Sequence, residues 1–163
     1  MTAQPGSPTQ SAEKEIVISR VINAPRELVW EAFTDPAQMV KWWGPDGFVI
    51  PIHESDVRVG GMRRYTMRGP DGKDYPNKSI LTEIVRPERL SFRHGWDTAG
   101  ERWEMFQATW TFEDQGGRTK VTGRMVFPSA EERNKVVKEF GAIEGGKQTL
   151  GRLAAYLEPG ELH

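Results

Sequence analysis

The chain has 163 residues, of which 37% are hydrophobic and 28% are charged, and its formal net charge is −1 at pH 7. A chain of this length usually folds as one domain, and a net charge near zero provides no field that would attract nucleic acid or an anionic membrane. The sequence contains no cysteine, which excludes disulfides, thiolate metal ligands and cysteine nucleophiles.

Both ends of the chain are predicted to be tails around one ordered domain. Residues 1–14 are rich in Pro, Ser, Gln and Thr and lack the apolar segment of a signal peptide, which predicts a disordered tail. No apolar run is long enough to span a membrane, so we expect a cytoplasmic protein. The domain is predicted to cover residues 15–158, beginning with the β-rich run EIVISRVI, and residues 159–163 form a C-terminal tail.

Two short helices are predicted after this first strand. Pro25 suits the first position of a helix, where its missing N–H costs nothing. Asp35 stands before Pro36, so it is expected to close the first helix and to cap the second. The apolar stripe of the first helix is predicted to consist of Leu28, Val29, Ala32 and Phe33.

Two adjacent tryptophans are predicted to lie at the end of the second helix, which a Gly-Pro pair then terminates. Neighbouring helical positions differ by about 100° in direction, so Trp42 and Trp43 cannot point the same way. Trp43 follows Met39 by four residues, and we therefore expect it to plug the core. Trp42 is expected to border the open end of the fold, together with Phe48.

Six strand-like segments follow, separated by turn signals such as Gly60-Gly61 and Gly116-Gly117. Connections this short predict antiparallel hairpins. The predicted strands cover residues 51–58, 61–68, 76–86, 89–97, 103–114 and 117–127.

A helix is predicted to end the domain, with Ser129 and Glu132 forming a capping box at its start. Each glycine inside a helix costs about 1 kcal/mol relative to alanine, so we predict a break at Gly141 and a main helix over residues 142–157. One face carries residues that alternate spacings of four and three, namely Val136, Phe140, Ile143, Lys147, Leu150, Ala154 and Leu157.

The element order predicts an α+β fold. One strand, two helices, six strands and a final helix satisfy the layer rule if a long antiparallel sheet curves around the last helix. The two short helices would then close the open end. A sandwich of two sheets with peripheral helices also fits this order.

Polar residues on predicted apolar faces are the candidates for chemistry. His94 alternates with Phe92 and Trp96, so it is either a hydrogen-bonded core histidine or a polar anchor or acid/base group in a cavity. Arg63 shares a strand face with Tyr65 and Met67. It either holds an anionic group at a pocket rim or lies exposed with its stem packed on the sheet.

Two further segments carry candidate residues. Lys147 lies on the apolar stripe of the last helix, where its ammonium either reaches solvent or meets a carboxylate ligand. On strand 103–114, the face that we expect to point inward consists of Phe106, Ala108, Trp110 and Phe112.

The segment APRELVWEAFTDPAQMVKWWGPDGF, residues 24–48, resembles the START-like (SRPBCC, Bet v 1-like) superfamily. More narrowly, it resembles the branch homologous to the C-terminal domain of activators of the ninety-kilodalton heat-shock protein ATPase. Three further segments carry the resemblance, which extends over about residues 15–158: DVRVGG at 56–61, MRGPDG at 67–72 and QTLGRLAAYL at 148–157.

The resemblance implies a helix-grip fold with a cavity between a curved sheet and a long C-terminal helix. Relatives include carriers of hydrophobic ligands, polyketide cyclases, self-sacrificing resistance proteins and co-chaperone domains. One feature departs from the family pattern, because relatives usually carry tryptophan where this chain has the second glycine of Glu144-Gly145-Gly146. We expect either more empty volume beneath the helix or a looser helix start.

We therefore predict a protein that binds a small hydrophobic or amphipathic molecule, without cofactor or metal, since the three histidines show no metal-ligand spacing. One alternative is a co-chaperone-like module that stimulates a heat-shock ATPase. Another is an enzyme of the cyclase or dehydratase type with His94 as its acid/base. The predicted cavity residues are Trp42, Phe48, Arg63, Tyr65, Met67, Phe92, His94, Trp96, Phe106, Trp110, Ile143, Lys147 and Leu150.

Overall fold

The computed structural model describes residues 13–98 and 103–158. The predicted tails lie outside these residues, apart from residues 13 and 14. The elements in chain order are β1 (Glu15–Ile22), α1 (Arg26–Thr34), α2 (Pro36–Met39), β2 (Ile52–Ser55), β3 (Met62–Arg68), β4 (Asp74–Val85), β5 (Arg89–Trp96), β6 (Glu104–Gln115), β7 (Arg118–Val126), α3 (Ala130–Phe140) and α4 (Ala142–Leu157).

The seven strands form one antiparallel sheet in the order β1-β7-β6-β5-β4-β3-β2. The sheet curves around α4, which packs against β1, while α1 packs on β6 and β7. The predicted α+β helix-grip architecture is therefore confirmed, and the two-sheet sandwich is wrong. Among the described residues, no helix is long and apolar enough to cross a membrane.

Strand β2 is shorter than the sequence predicted and stops at Ser55 rather than at residue 58. The backbone turns immediately afterwards, because Arg58 N–H donates to the carbonyl of Asp56 and Gly61 N–H donates to the carbonyl of Arg58. These local hydrogen bonds use backbone groups that a continued strand would need, and only single bonds such as that from Asp56 N–H to the carbonyl of Met62 still reach the neighbouring strands.

Helix α1 buries a different apolar stripe from the predicted one. Val29, Ala32 and Phe33 are buried as expected, but Leu28 is 49% exposed and Trp30 takes its place. The Trp30 ring meets Phe112 of β6 edge-on, with 5.8 Å between ring centroids. Burying the larger aromatic ring removes more apolar surface from water than burying leucine would.

The two tryptophans occupy the reverse of their predicted positions. Trp42 is fully buried, and its indole N–H donates to the carbonyl of Ala32 at 3.0 Å. Trp43 is only partly buried and faces the space under the sheet. Asp35 caps α2 as predicted, accepting the N–H of Ala37. However, α2 ends at Met39, and the tryptophans lie in a following turn in which Trp43 N–H donates to the carbonyl of Met39; the packing of this turn directs Trp42, not Trp43, into the core.

The terminal helix breaks where the sequence predicted. Ser129 caps α3 by accepting the N–H of Glu132 at 3.1 Å, and α3 ends at Gly141, whose φ of 59° is left-handed. The predicted stripe does not run through this break, because the left-handed residue resets the rotation of the following helix. Phe140 is therefore 49% exposed, and the buried face of α4 consists of Thr149, Leu150, Leu153 and Ala154.

Two side chains of α4 bind the segment after α2: Gln148 Oε1 accepts the N–H of Asp46 at 3.1 Å, and Arg152 makes the larger number of hydrogen bonds. Arg152 Nη1 donates to the backbone carbonyls of Trp43, Gly44 and Pro45 at 3.3, 2.9 and 2.7 Å. These carbonyls follow a helix end and have no helical partner, so the guanidinium satisfies them with charge-assisted hydrogen bonds.

Replacing Arg152 with methionine should destabilise the fold by about 1–3 kcal/mol, because it leaves the carbonyls of Trp43 and Gly44 without this donor, while the carbonyl of Pro45 keeps the N–H of Phe48. Urea unfolding measures the difference in free energy. Arg118→Met is the control, since Arg118 is exposed and makes no side-chain hydrogen bond within the described residues. Equal unfolding midpoints for the two variants would contradict the anchoring role.

Candidate functional site

A cavity of about 390 Å³ lies between the inner face of the sheet, α3 and α4. Its mouth is marked by the exposed residues Glu139 and Phe140 at the end of α3. The wall is mainly aromatic and methionine side chains, namely Trp43, Phe48, Met67, Tyr75, Phe92, Trp96, Met105, Phe106, Trp110, Met125 and Phe127. Concave, mainly apolar walls of this kind are common among the small-molecule sites of proteins.

Most of the predicted cavity residues on strands lie on this wall. Strand alternation places every second residue on the inner face, and the curvature of the sheet brings these faces together. The predicted residues that line the cavity are Phe48, Tyr65, Met67, Phe92, His94, Trp96, Phe106 and Trp110.

The other predicted residues lie elsewhere. Trp42 and Leu150 are packed in the core, and Ile143 is partly buried against it. Lys147 is exposed to solvent, which corresponds to the first of its two predicted alternatives. Arg63 is neither at a rim nor exposed, because it is only 4% exposed and lies beneath the cavity wall.

Helix α4 contributes to the cavity wall a face whose residues were not among the predicted cavity residues. Its lining residues are small and recur at helical spacing: Ala142, Gly145, Gly146 and Thr149. In the sequence, such a row of small residues on one helix face indicates that a neighbouring element can approach the helix backbone closely. Trp43, Tyr75 and Asn77 were also missed, the first because its direction was reversed and the other two because no strand face was assigned to them.

The Gly-Gly pair brings α4 close to its neighbours. A Cβ atom on Gly146 would lie 2.7 Å from Cδ1 of Ile18 on β1, and one on Gly145 would lie 3.3 Å from Cγ of Pro45. Helix α4 spans Ala142–Leu157, which is the predicted range, so both glycines lie inside it. Since neither glycine carries a side chain, the cavity reaches the helix backbone here.

Five polar residues form a contiguous patch on the inner face, which we call the polar corner. The strand register places Arg63 opposite Ser79, and Ser79 opposite His94. In the next pair along β3 and β4, Tyr65 lies opposite Asn77. All five are buried, and Tyr65, Asn77 and His94 line the cavity.

Hydrogen bonds define the protonation of His94. Asn77 Nδ2 donates to the carbonyl of Tyr75 at 2.7 Å, so Asn77 Oδ1 is the atom that faces His94 Nε2 at 2.9 Å. Because Oδ1 can only accept, Nε2 must carry the proton. Nδ1 then accepts from the Ser79 hydroxyl at 2.7 Å. Both ring nitrogens are therefore occupied in the neutral imidazole.

Burial keeps His94 and Tyr65 of the polar corner neutral. Desolvation, reinforced by the nearby Arg63 guanidinium, lowers the pKa of His94 from 6.5 to about 3. Desolvation also raises the pKa of Tyr65 to about 12. Among the described residues, no group of three or more His, Asp or Glu side chains is placed to hold a metal ion.

Arg63 is incompletely partnered in its buried position. Its Nη1 donates to the carbonyl of Phe33 at 2.8 Å and lies 3.7 Å from Sδ of Met39. Its guanidinium carbon lies 5.2 Å from the ring centroid of Phe92. Nε has no hydrogen-bond partner, and no carboxylate within residues 13–98 and 103–158 forms an ion pair with it. Desolvation lowers the pKa of this guanidinium.

Comparison with known proteins gives one family and many structures of this fold. The family model described as "Activator of Hsp90 ATPase homolog 1-like protein" matches residues 23–158. No match was found among the curated proteins.

Three of the similar solved structures illustrate the likeness. A crystal structure of a Mycobacterium smegmatis protein is 27% identical, with 93% of this chain and 94% of that chain covered and a TM-score of 0.82. A solution structure from Arthrobacter aurescens is 26% identical, covering 93% and 90%, with a TM-score of 0.81. A crystal structure from Chromobacterium violaceum is 28% identical, covering 90% and 99%, with a TM-score of 0.76.

The buried neutral state of His94 predicts a pH-dependent stability. The unfolded chain takes up a proton near pH 6.5, whereas the folded chain does so only near pH 3. Stability is therefore fully present above pH 6.5 and is lost as the pH falls towards 3. Between pH 8 and pH 5, the free energy of unfolding should fall by about 2 kcal/mol because of this residue.

The control for this prediction is His94→Gln, which removes the titration. Urea unfolding at both pH values should show a decrease about 2 kcal/mol larger in the wild type than in the variant. Parallel pH profiles would show that His94 is charged in the folded protein.

Proposed function

Because the chain belongs to the family of Activator of Hsp90 ATPase homolog 1-like proteins, we propose that it uses this fold as a cytoplasmic binding protein for a small hydrophobic or amphipathic molecule. The ligand occupies the cavity between the sheet and α4. The proposal concerns binding rather than catalysis, and it requires no cofactor.

The cavity wall is the observation that carries this proposal. A volume of about 390 Å³ is framed by aromatic and methionine side chains, with polar atoms concentrated at Tyr65, Asn77 and His94. Apolar walls with a few converging polar groups are typical of small-molecule sites. The apolar part supplies affinity by desolvation, and the polar corner would orient one functional group of the ligand.

Catalysis by His94 has less support than binding. A general base needs a pKa near the working pH, whereas burial lowers the pKa of His94 to about 3. Two polar groups, Ser79 and Asn77, lie within hydrogen-bond distance of its ring, but both are neutral and occupy its nitrogens. The predicted acid/base pair would therefore lack a group that exchanges protons near neutral pH.

A co-chaperone-like role is the second candidate, and the description of the family favours it. An ATPase assay tests it directly, with the purified chain added to the ninety-kilodalton heat-shock protein of the same source. Stimulation that survives blockage of the cavity would support this role over ligand binding. An unchanged ATPase rate would contradict it.

Native mass spectrometry tests whether the cavity is occupied. The protein is purified without detergent and weighed under native and denaturing conditions. We expect a native mass larger by one molecule of about a dozen non-hydrogen atoms, taking about 30 Å³ per atom from the volume of water in the liquid. No mass difference, together with no binding from a panel of neutral and acidic hydrophobic compounds, would contradict the proposal.

Ala108→Phe should block the cavity, because Ala108 is buried in its wall and a phenyl ring there would enter the ligand volume. Affinity for a neutral fluorescent probe such as naphthol should fall about tenfold or more, which corresponds to about 1.4 kcal/mol. Fluorescence titration with naphthol measures this affinity.

Thr111→Phe is the matched control. Thr111 lies on the same strand but on the face away from the cavity, as an odd number of positions separates the two residues. This variant should bind naphthol with wild-type affinity. Equal affinities for all three proteins would show that the probe binds elsewhere.

A further inference from the structure

The acceptors of the polar corner that line the cavity each already receive one hydrogen bond. His94 Nδ1 accepts from Ser79, and Asn77 Oδ1 accepts from His94 Nε2. The oxygen of Tyr65 accepts the indole N–H of Trp43 at 3.2 Å. A ligand group that came here to donate hydrogen bonds would therefore find few free acceptors.

Donors remain available on the same surface. The Tyr65 hydroxyl keeps its own proton, since its oxygen accepts from Trp43, and this proton can turn to a ligand from the neighbouring hydroxyl oxygen of Ser79. Asn77 uses one N–H for the carbonyl of Tyr75 and retains the second. Both residues line the cavity. The corner thus matches a ligand group that accepts hydrogen bonds without donating any.

The buried positive charge of Arg63 favours a ligand group that is negatively charged as well as a hydrogen-bond acceptor. Its neighbours across the sheet are Ser79 and then His94, and Tyr65 follows two positions along β3 on the same face. An unpaired charge in a protein interior is costly, and its field extends further there than in water. The cavity next to Tyr65 is therefore a place where a negative group gains free energy.

We propose that the ligand is a carboxylic acid with an apolar body, bound as the carboxylate to Tyr65 and Asn77 and balanced in charge by Arg63. This inference rests on the proposed function, since it names the class of molecule that the cavity takes. The carboxylate points inward, because the mouth carries the negative charge of Glu139. The apolar body lies along the aromatic wall.

Two matched pairs of probes test the charge preference. Decanoic acid and decanamide have the same shape and about a dozen non-hydrogen atoms each, which fits the cavity volume. Naphthoic acid and naphthamide form a rigid second pair. Isothermal titration calorimetry at neutral pH, where the acids are ionised, should give the acid about tenfold tighter binding than its amide in at least one pair.

The outcomes separate the two proposals. Amides that bind as tightly as their acids would overturn the carboxylate preference and leave the binding function intact. A cavity that takes no member of either pair would count against both.

Variants identify the residues that create the preference. In Arg63→Met, the acid should lose about tenfold in affinity while the amide keeps its own, so their ratio approaches one. Tyr65→Phe keeps the shape of the ring and removes one donor, and it should also weaken the acid more than the amide. If Arg63→Met does not fold, the ratio of acid to amide affinity in the wild type and in Tyr65→Phe tests the proposal instead.

Lys147→Met is the control for a general loss of positive charge. Lys147 is exposed on α4 and does not line the cavity, so its removal should leave the ratio of acid to amide affinity unchanged. A ratio that falls equally in Lys147→Met and Arg63→Met would mean that net charge, and not the polar corner, sets the preference.

Discussion

The close approach of α4 to β1 determines how the rest of the inner face is covered. Gly146 allows the helix backbone to reach Ile18, and Arg152 fastens the same helix to the carbonyls after α2. One helix held against an edge strand cannot also touch the inner faces of β3, β4 and β5. The cavity is the space left between this helix and the inner face of the sheet from β3 to β7, so its position follows from where the helix is attached.

The polar corner lies on this uncovered part of the sheet. Buried charges without a counter-charge normally destabilise a fold, and natural proteins accept such costs mainly where function requires them. Arg63 is held by the carbonyl of Phe33 and the face of Phe92. These contacts stabilise the buried positive charge less than a carboxylate would. The polar corner therefore keeps a positive electrostatic potential.

The Gly145-Gly146 pair connects the fold to the shape of the site. In this chain the helix itself approaches β1, and the cavity reaches its backbone. The two glycines therefore affect both the packing of α4 and the room available to a ligand.

Local chemistry along the sequence was sufficient for the elements of the fold and for much of the cavity wall. Caps such as Ser129 and the break at Gly141 depend on a few neighbouring residues, and strand alternation alone placed His94 and its neighbours on the inner face. Tertiary packing decided the rest. The directions of Trp42 and Trp43 depend on a turn beyond the end of α2, and the burial of Arg63 depends on elements that close over it. Neither of these two features can be read from the local periodicity of the sequence, because each follows from contacts between residues far apart in the chain.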